Sequence, residues 1–311
     1  MAQSPSRLHE DRPRQLARLG ASLFVETVSI IVEAFDKDLV TALTFLAISR
    51  QNLRQLTDGW AARGVGREPD RTRQPASTRA LSATIGIPYE TVRRHLRKLR
   101  QAGLCEVGPA GAVIPDAVYS TPILKGAADR TWRTTNHFVG EAARSGIIAP
   151  SVQIAPTAGA RWQVCRIGVD YFLDGLALAR RHLQLDTLDV LVMRAVWVGN
   201  ARPWLADPDQ RLAFGALADI PADAQRPPVS SYAAAKALSL PYETVRRAAE
   251  RLSESGRLSK APDGGLIVPA SVSASPALLG LVSDYAAQTG LFLGRLAEIG
   301  VIPDAEPAER A

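Results

Sequence analysis

Two identical heptapeptides carry the polar chemistry of this chain. Pro88-Tyr89-Glu90-Thr91-Val92-Arg93-Arg94 recurs as Pro241-Tyr242-Glu243-Thr244-Val245-Arg246-Arg247. A guanidinium is a planar fork of donors that meets a phosphate, or O6 and N7 of guanine, with two parallel hydrogen bonds. A glutamate beside it can accept from cytosine N4. On a helical wheel Pro88, Val92, Leu96 and Leu99 fall on one side with His95 next to them. Glu90, Arg93, Arg94 and Arg97 fall on the other, with Lys98 at its margin. Glu90 stands four residues before Arg94, the favourable order for a helical ion pair. The spacing therefore predicts a helix with one apolar side and one arginine side, present twice.

The elements that must position these helices repeat with them. Leu99 and Gly103 match Leu252 and Gly256 at the shift of the heptapeptide, and Pro115, Pro122, Gly126, Phe138, Gly140 and Gly146 match Pro269, Pro276, Gly280, Phe292, Gly294 and Gly300 one residue further on. Upstream, Asp38, Leu43, Ala47 and Asn52 match Asp186, Leu191, Ala195 and Asn200. A chance identity would not bring flanks of this length into register, so the chain is a duplication. Each copy reads as an apolar helix pair, about 21–35 and 37–53 in the first, then an Arg-, Gly- and Pro-rich loop over 55–76. A short helix follows, opened by the cap candidates Ser77 and Thr78. Gly86-Ile87 turns the chain, and Pro88 suits the first position of the next helix, which stops at Gly103. A hairpin turns at 108–111, or at Asp263-Gly264-Gly265 in the second copy, and a closing helix covers about 122–145. Gly140 and Gly294 interrupt the closing helices and predict close crossing between the copies.

Two helices joined by a short turn and followed by a hairpin expose the outer face of the second helix, the one that enters the major groove in helix-turn-helix proteins. The stretch from Gly86 to Leu96, with Leu99 and Gly103-Leu104 behind it, resembles the recognition-helix signature of bacterial winged-helix transcriptional regulators of the IclR and MarR types. The resemblance covers about residues 77–115 and 230–269. It implies a mainly α fold with small β wings: two tandem winged helix-turn-helix repeats related by pseudo-symmetry, with flanking helices. The second copy departs in having Ser239 for Gly86, and Ala248, Ala249 and Glu250 for His95, Leu96 and Arg97. The expected domains are a polar tail over 1–19, repeats over 20–146 and 166–303, a linker over 147–165 and a tail over 304–311.

Turn and core geometry account for the repeated Pro, Thr and Val. They do not account for Tyr89, Glu90, Arg93 and Arg94, because exposed positions tolerate substitution cheaply. The expected contacts with double-stranded DNA are therefore Tyr89, Glu90, Arg93, Arg94, Arg97, Lys98, Ser77 and Thr78 in the first copy, and Tyr242, Glu243, Arg246, Arg247, Arg257 and Lys260 in the second. The last two would place the second wing on the phosphate backbone. Similar half-sites about one turn, ~10 bp, apart are expected if the copies dock like a dimer. Arg63, Arg67, Arg71, Arg73 and Arg79 offer further phosphate contacts.

The chain of 311 residues carries a net charge of +6. Up to Ala160 there are 21 basic against 14 acidic residues, and beyond it 16 against 17, so a polyanionic partner is expected mainly on the first half. Two cysteines, Cys105 and Cys165, are too few for a disulfide framework or a zinc site and read as inert packing. His9, His95, His137 and His182 have no metal spacing, Trp132, Trp162, Trp197 and Trp204 read as core, and no cofactor is expected. Neither a phosphate-binding glycine loop nor a nucleophile motif is present, so no enzymatic activity is expected. Segments such as 188–198 are broken by Asp189 and Arg194, so none is expected to approach the roughly 20 apolar residues that span a bilayer. The polar N-terminus is unlike a secretory signal, and a cytoplasmic location with nucleoid association is expected. The expected function is a bacterial transcriptional regulator. A plasmid replication initiator or partition protein, and a winged-helix protein scaffold, are the alternatives, and homodimerisation stays open.

Overall fold

A computed structural model of the chain describes residues 12–54, 73–148, 158–262 and 264–302. These residues are mainly helical, with two small hairpins. In the first half the order is α1 (Pro13–Ala34), α2 (Leu39–Asn52), α3 (Thr78–Ile85), α4 (Tyr89–Gln101), β1 (Glu106–Gly108), β2 (Gly111–Val113), α5 (Asp116–Tyr119) and α6 (Pro122–Arg144). The second half repeats it: α7 (Ala158–Leu183), α8 (Thr187–Asn200), α11 (Ser231–Leu238), α12 (Tyr242–Glu254), β3 (Ser259–Lys260), β4 (Leu266–Ile267), α13 (Ala270–Ser273) and α14 (Pro276–Glu298). Two short helices, α9 (Arg202–Ala206) and α10 (Pro208–Ala213), and a 3-10 turn at Asp223–Gln225 stand between α8 and α11.

Matching residues close matching elements. Asp38 and Asp186 cap α2 and α8 through the amides of Thr41 and Asp189, and Ser77 and Ser230 cap α3 and α11 through those of Ala80 and Ala233. Pro122 and Pro276 open α6 and α14, where a missing amide costs nothing. Pro88 departs from expectation: it is exposed and stands at the cap before α4, not on the buried side.

The hairpins are antiparallel, with Val107 opposite Ala112 and Lys260 opposite Leu266. Each is joined by a bridge from the strand-like residue before the short helix, Ala76 to Ala112 and Val229 to Leu266. One buried asparagine fastens each assembly. Asn52 donates to the carbonyls of Gln74 (2.7 Å) and Ala112 (3.1 Å) and accepts from the Ile114 amide (2.8 Å). Asn200 donates to those of Pro227 (2.8 Å) and Leu266 (3.1 Å) and accepts from Val268 (2.9 Å). Both side chains are sealed from water, so each amide satisfies backbone groups that would otherwise stand unpaired.

The long helices α1, α6, α7 and α14 pack together and join the halves into one core. Their first helices also cross over: α1 rests on α8 and α11 of the second half, and α7 on α2 and α3 of the first. The close approaches lie at Gly20 and Gly175, not at Gly140 and Gly294. A Cβ on Gly20 would stand 2.3 Å from the Tyr171 hydroxyl and one on Gly175 2.8 Å from the Tyr285 ring, whereas Gly294 has open space and Gly140 meets only Arg144 of its own helix.

The N-terminal boundary also moves. Residues 13–19, expected in the polar tail, form the first turns of α1 with Arg14, Gln15 and Arg18 buried. Arg14 donates to the Leu217 and Ser273 carbonyls, Arg18 donates to that of Phe214, and Arg18 and Arg226 both lie over the Trp204 ring. Burial holds the guanidinium of Arg18 down to about 9 and, with Arg226 nearby, that of Arg14 to about 10. Likewise α7 starts at Ala158, inside the expected linker. Helix α1 also corrects the apolar-length expectation: its 22 residues are long and apolar enough to cross a membrane, but 72% of the apolar window is buried inside the protein.

Candidate nucleic-acid interface

Helix α4 is fixed by Val92, His95, Leu96 and Leu99, all buried, and α12 by Val245, Ala248, Ala249 and Leu252. Each follows a left-handed residue, Gly86 at φ 64° and Ser239 at φ 52°. The crossed first helices hold these two turns differently. The Arg180 guanidinium of α7 lies against Gly86, 1.7 Å from where a Cβ would be, and Thr187 donates to the Ile85 carbonyl (2.6 Å). At the other turn Ser239 donates to Glu33 of α1 (2.7 Å) and meets Ser29 (2.8 Å). Glycine at 86 adopts the left-handed backbone without the cost of a Cβ, and the guanidinium beside it is the movable end of a long side chain, while at 239 two hydrogen bonds offset the backbone cost of a serine.

The outer faces are open to solvent. Tyr89 is 47% and Tyr242 45% exposed, and Glu90, Arg93, Arg94, Arg97, Glu243 and Arg247 are exposed as expected. Arg246 is half-buried. The ion-pair register differs from expectation: Glu90 holds Arg93 at 2.7 Å, one residue nearer than Arg94. Arg246 sits between Glu243 (3.0 Å) and Glu250, which keep its guanidinium charged. Among the described residues Arg94, Arg97 and Arg247 have neither an ion pair nor a side-chain hydrogen bond. Arg100, unremarked in the sequence reading, is exposed on the same side, at the i+7 spacing from Arg93.

Lys98 is exposed but its ammonium lies 2.9 Å from Asp38, and the matching Arg251 lies 2.5 Å from Asp189. Both tie the arginine helix to the first turn of the helix beneath it. His95 faces the same aspartate at 3.3 Å and the Thr41 hydroxyl at 2.8 Å, and burial lowers its pKa. Ser77 is exposed, but its hydroxyl is occupied as a cap, and Thr78 is half-buried. On the second hairpin Lys260 is exposed and Arg257 half-buried, whereas the first hairpin presents Glu106.

Of the loop arginines, Arg63, Arg67 and Arg71 lie outside the described residues. Arg73 is turned inward: it donates to the Ile114 carbonyl, pairs with Asp116 and lies over the Tyr119 ring, so its role is structural. Arg79 is exposed. Burial pushes the Cys105 and Cys165 thiols up to about 11 and about 12, which leaves little thiolate at neutral pH. No cluster of metal-ligating side chains occurs among the described residues. Comparison with protein-family models, curated proteins and solved structures finds no match to this chain.

Proposed function

We propose that this protein binds double-stranded DNA sequence-specifically as a bacterial transcriptional regulator, through two tandem winged helix-turn-helix units. Helices α4 and α12 act as the recognition helices and the hairpins as the wings. One observation carries the reading: the same arginine-bearing helix stands out from the protein twice, each copy behind a left-handed turn and ahead of a hairpin. The crossed first helices hold the two copies in one core, so two half-sites would be met at a fixed spacing without a second subunit.

Base readout falls to Arg94, Arg97 and Arg247, which have no competing carboxylate among the described residues. Arg93 and Arg246 are pre-oriented by glutamates, and Tyr89, Tyr242 and Lys260 serve phosphates or base edges. Genome-wide footprinting at base resolution tests this reading. Two related half-sites near promoters are expected, and Arg94→Ala should weaken specific binding by about 1–3 kcal/mol. A protein with no salt-dependent affinity for any duplex would sink the proposal, and an iterated array at a replication origin would reassign it to initiation.

A further inference from the structure

The two halves differ most inside. Between α1, α2, α6 and α7 lies a cavity of about 550 Å³, the range in which small-molecule sites fall. Its pseudo-symmetric counterpart, between α7, α8, α14 and α1, has shrunk to about 40 Å³. The cause can be read position by position through the repeat. Leu46, Ser49, Ala127 and Thr131 line the large cavity, and the matching residues are Arg194, Trp197, Leu281 and Tyr285, which line the small one. Arg194 is stacked between the Phe24 and Tyr285 rings, 4.2 Å from each centroid, and fills the space as a side chain of the core. The glycines agree: Gly20 is crowded by Tyr171 and Thr289, while its match Gly168, on the wall of the large cavity, has nothing within 4 Å.

One scaffold therefore holds a plugged and an open version of the same space. The open wall is mostly apolar. Among the described residues its charged members are four cations, Arg73, Lys125, Arg161 and Arg166, against two carboxylates; Asp116 is engaged by Arg73 and Asp129 by Arg161, and Arg166 feels the charge of Asp170. Lys125 is exposed, so it stands at the opening to solvent. We propose that this cavity is a binding site for a lipophilic small molecule bearing one anionic group, of the medium-chain carboxylate class, with its chain among α1, α2, α6 and α7 and its anion toward Lys125.

The test uses the full chain without DNA, so its outcome is independent of the DNA-binding reading. Anilinonaphthalene sulfonate, an apolar anion whose emission rises in a dry pocket, should bind saturably at one per chain and be displaced by dodecanoate. Ser49→Trp and Ala127→Leu install the plugging residues of the second half. Each should lower dodecanoate affinity at least tenfold while circular dichroism and the melting temperature stay as in the parent. If Ser49→Trp fails to fold, the smaller Ala127→Leu decides alone. Lys125→Ala should weaken dodecanoate several-fold and leave dodecanol unchanged. No saturable binding, or unchanged binding in a folded plugged variant, overturns the site, and equal binding of alcohol and carboxylate overturns the anionic assignment.

Discussion

From Pro88 to Arg94 and from Pro241 to Arg247 the two outward helices are identical, and from the next residue on they part. Helix α4 continues with His95, Arg97, Lys98 and Arg100 and carries five cations against one acid. Helix α12 continues with Ala248, Glu250, Arg251 and Glu254 and carries three against three. The backbones are alike and the same four positions are buried, with His95 and Leu96 replaced by Ala248 and Ala249, so on the outer side the difference is the field each helix presents. A polyanion gains free energy chiefly from the cations it meets and the counterions it releases. Under the proposed DNA-binding reading, most of the affinity would belong to α4, and α12 would serve register and any base contact of Arg247, its neighbour Arg246 being clamped by two carboxylates.

Three measurements would break or sharpen that division. The largest effect is expected from Arg93, Arg94 and Arg97 replaced together by alanine: affinity for a specific duplex should fall by ~100-fold or more, and the log–log salt slope should flatten by about two to three. Arg246 and Arg247 replaced together should cost roughly tenfold or less, and equal losses from the two helices would end the division of labour. Next comes Glu250→Arg, which restores the arginine of position 97 and removes one clamp on Arg246. Titration at several salt concentrations should show about a tenfold gain in affinity and a slope steeper by about one. No gain would mean that α12 does not approach the duplex.

The smallest effect concerns the two turns. Hydrogen bonds from Ser239, then Arg130, hold the Glu33 carboxyl below its usual 4.5. Its folded pKa is depressed, so its contribution to stability is present above about 4.5 and is lost as pH falls through the lower folded value. The group is largely exposed, so the loss should stay below about 1 kcal/mol. Amide exchange at Ser239 and Leu240, corrected for intrinsic rate, should quicken a few-fold on acidification while Gly86 and Ile87, held by Arg180 and Thr187, stay as they were. Glu33→Gln should remove the pH dependence. Equal loosening of both turns would show that their different supports are immaterial.

Much of this was legible in the sequence because it is local. The cap at Ser77, the turn at Gly86, the proline starts of α6 and α14 and the apolar side of α4 each depend on a few neighbouring residues. The register of the duplication also paired Asn52 with Asn200, although only the structure shows why an amide is needed there: three backbone groups in each copy converge on it. What was not legible is partner choice. Periodicity identifies the apolar side of α1 but not that it lies on the second half. The arginines at its start suggested a solvated tail because nothing in the sequence announces carbonyl acceptors more than 190 residues away. Glycine positions misled for the same reason, since Gly20 and Gly175 matter through residues that meet them only in three dimensions. Pairing Glu90 with Arg94 erred on side-chain direction, the i+3 arginine being the one within reach. The unequal cavities needed both registers at once, that of α2 with α8 and that of α6 with α14, before small and large residues could be set against each other.

The exchange of first helices also bears on how the molecule comes into being. While the first half is leaving the ribosome, α1 can meet α2 and α6 but has neither α8 nor α11 nor α14 to lie on, and that part of its apolar surface waits until nearly the whole polypeptide has been made. Nascent chains stalled in the second half should therefore be protease-sensitive and sought by chaperones. Maturation should follow release and be slower than for proteins whose contacts are close in sequence.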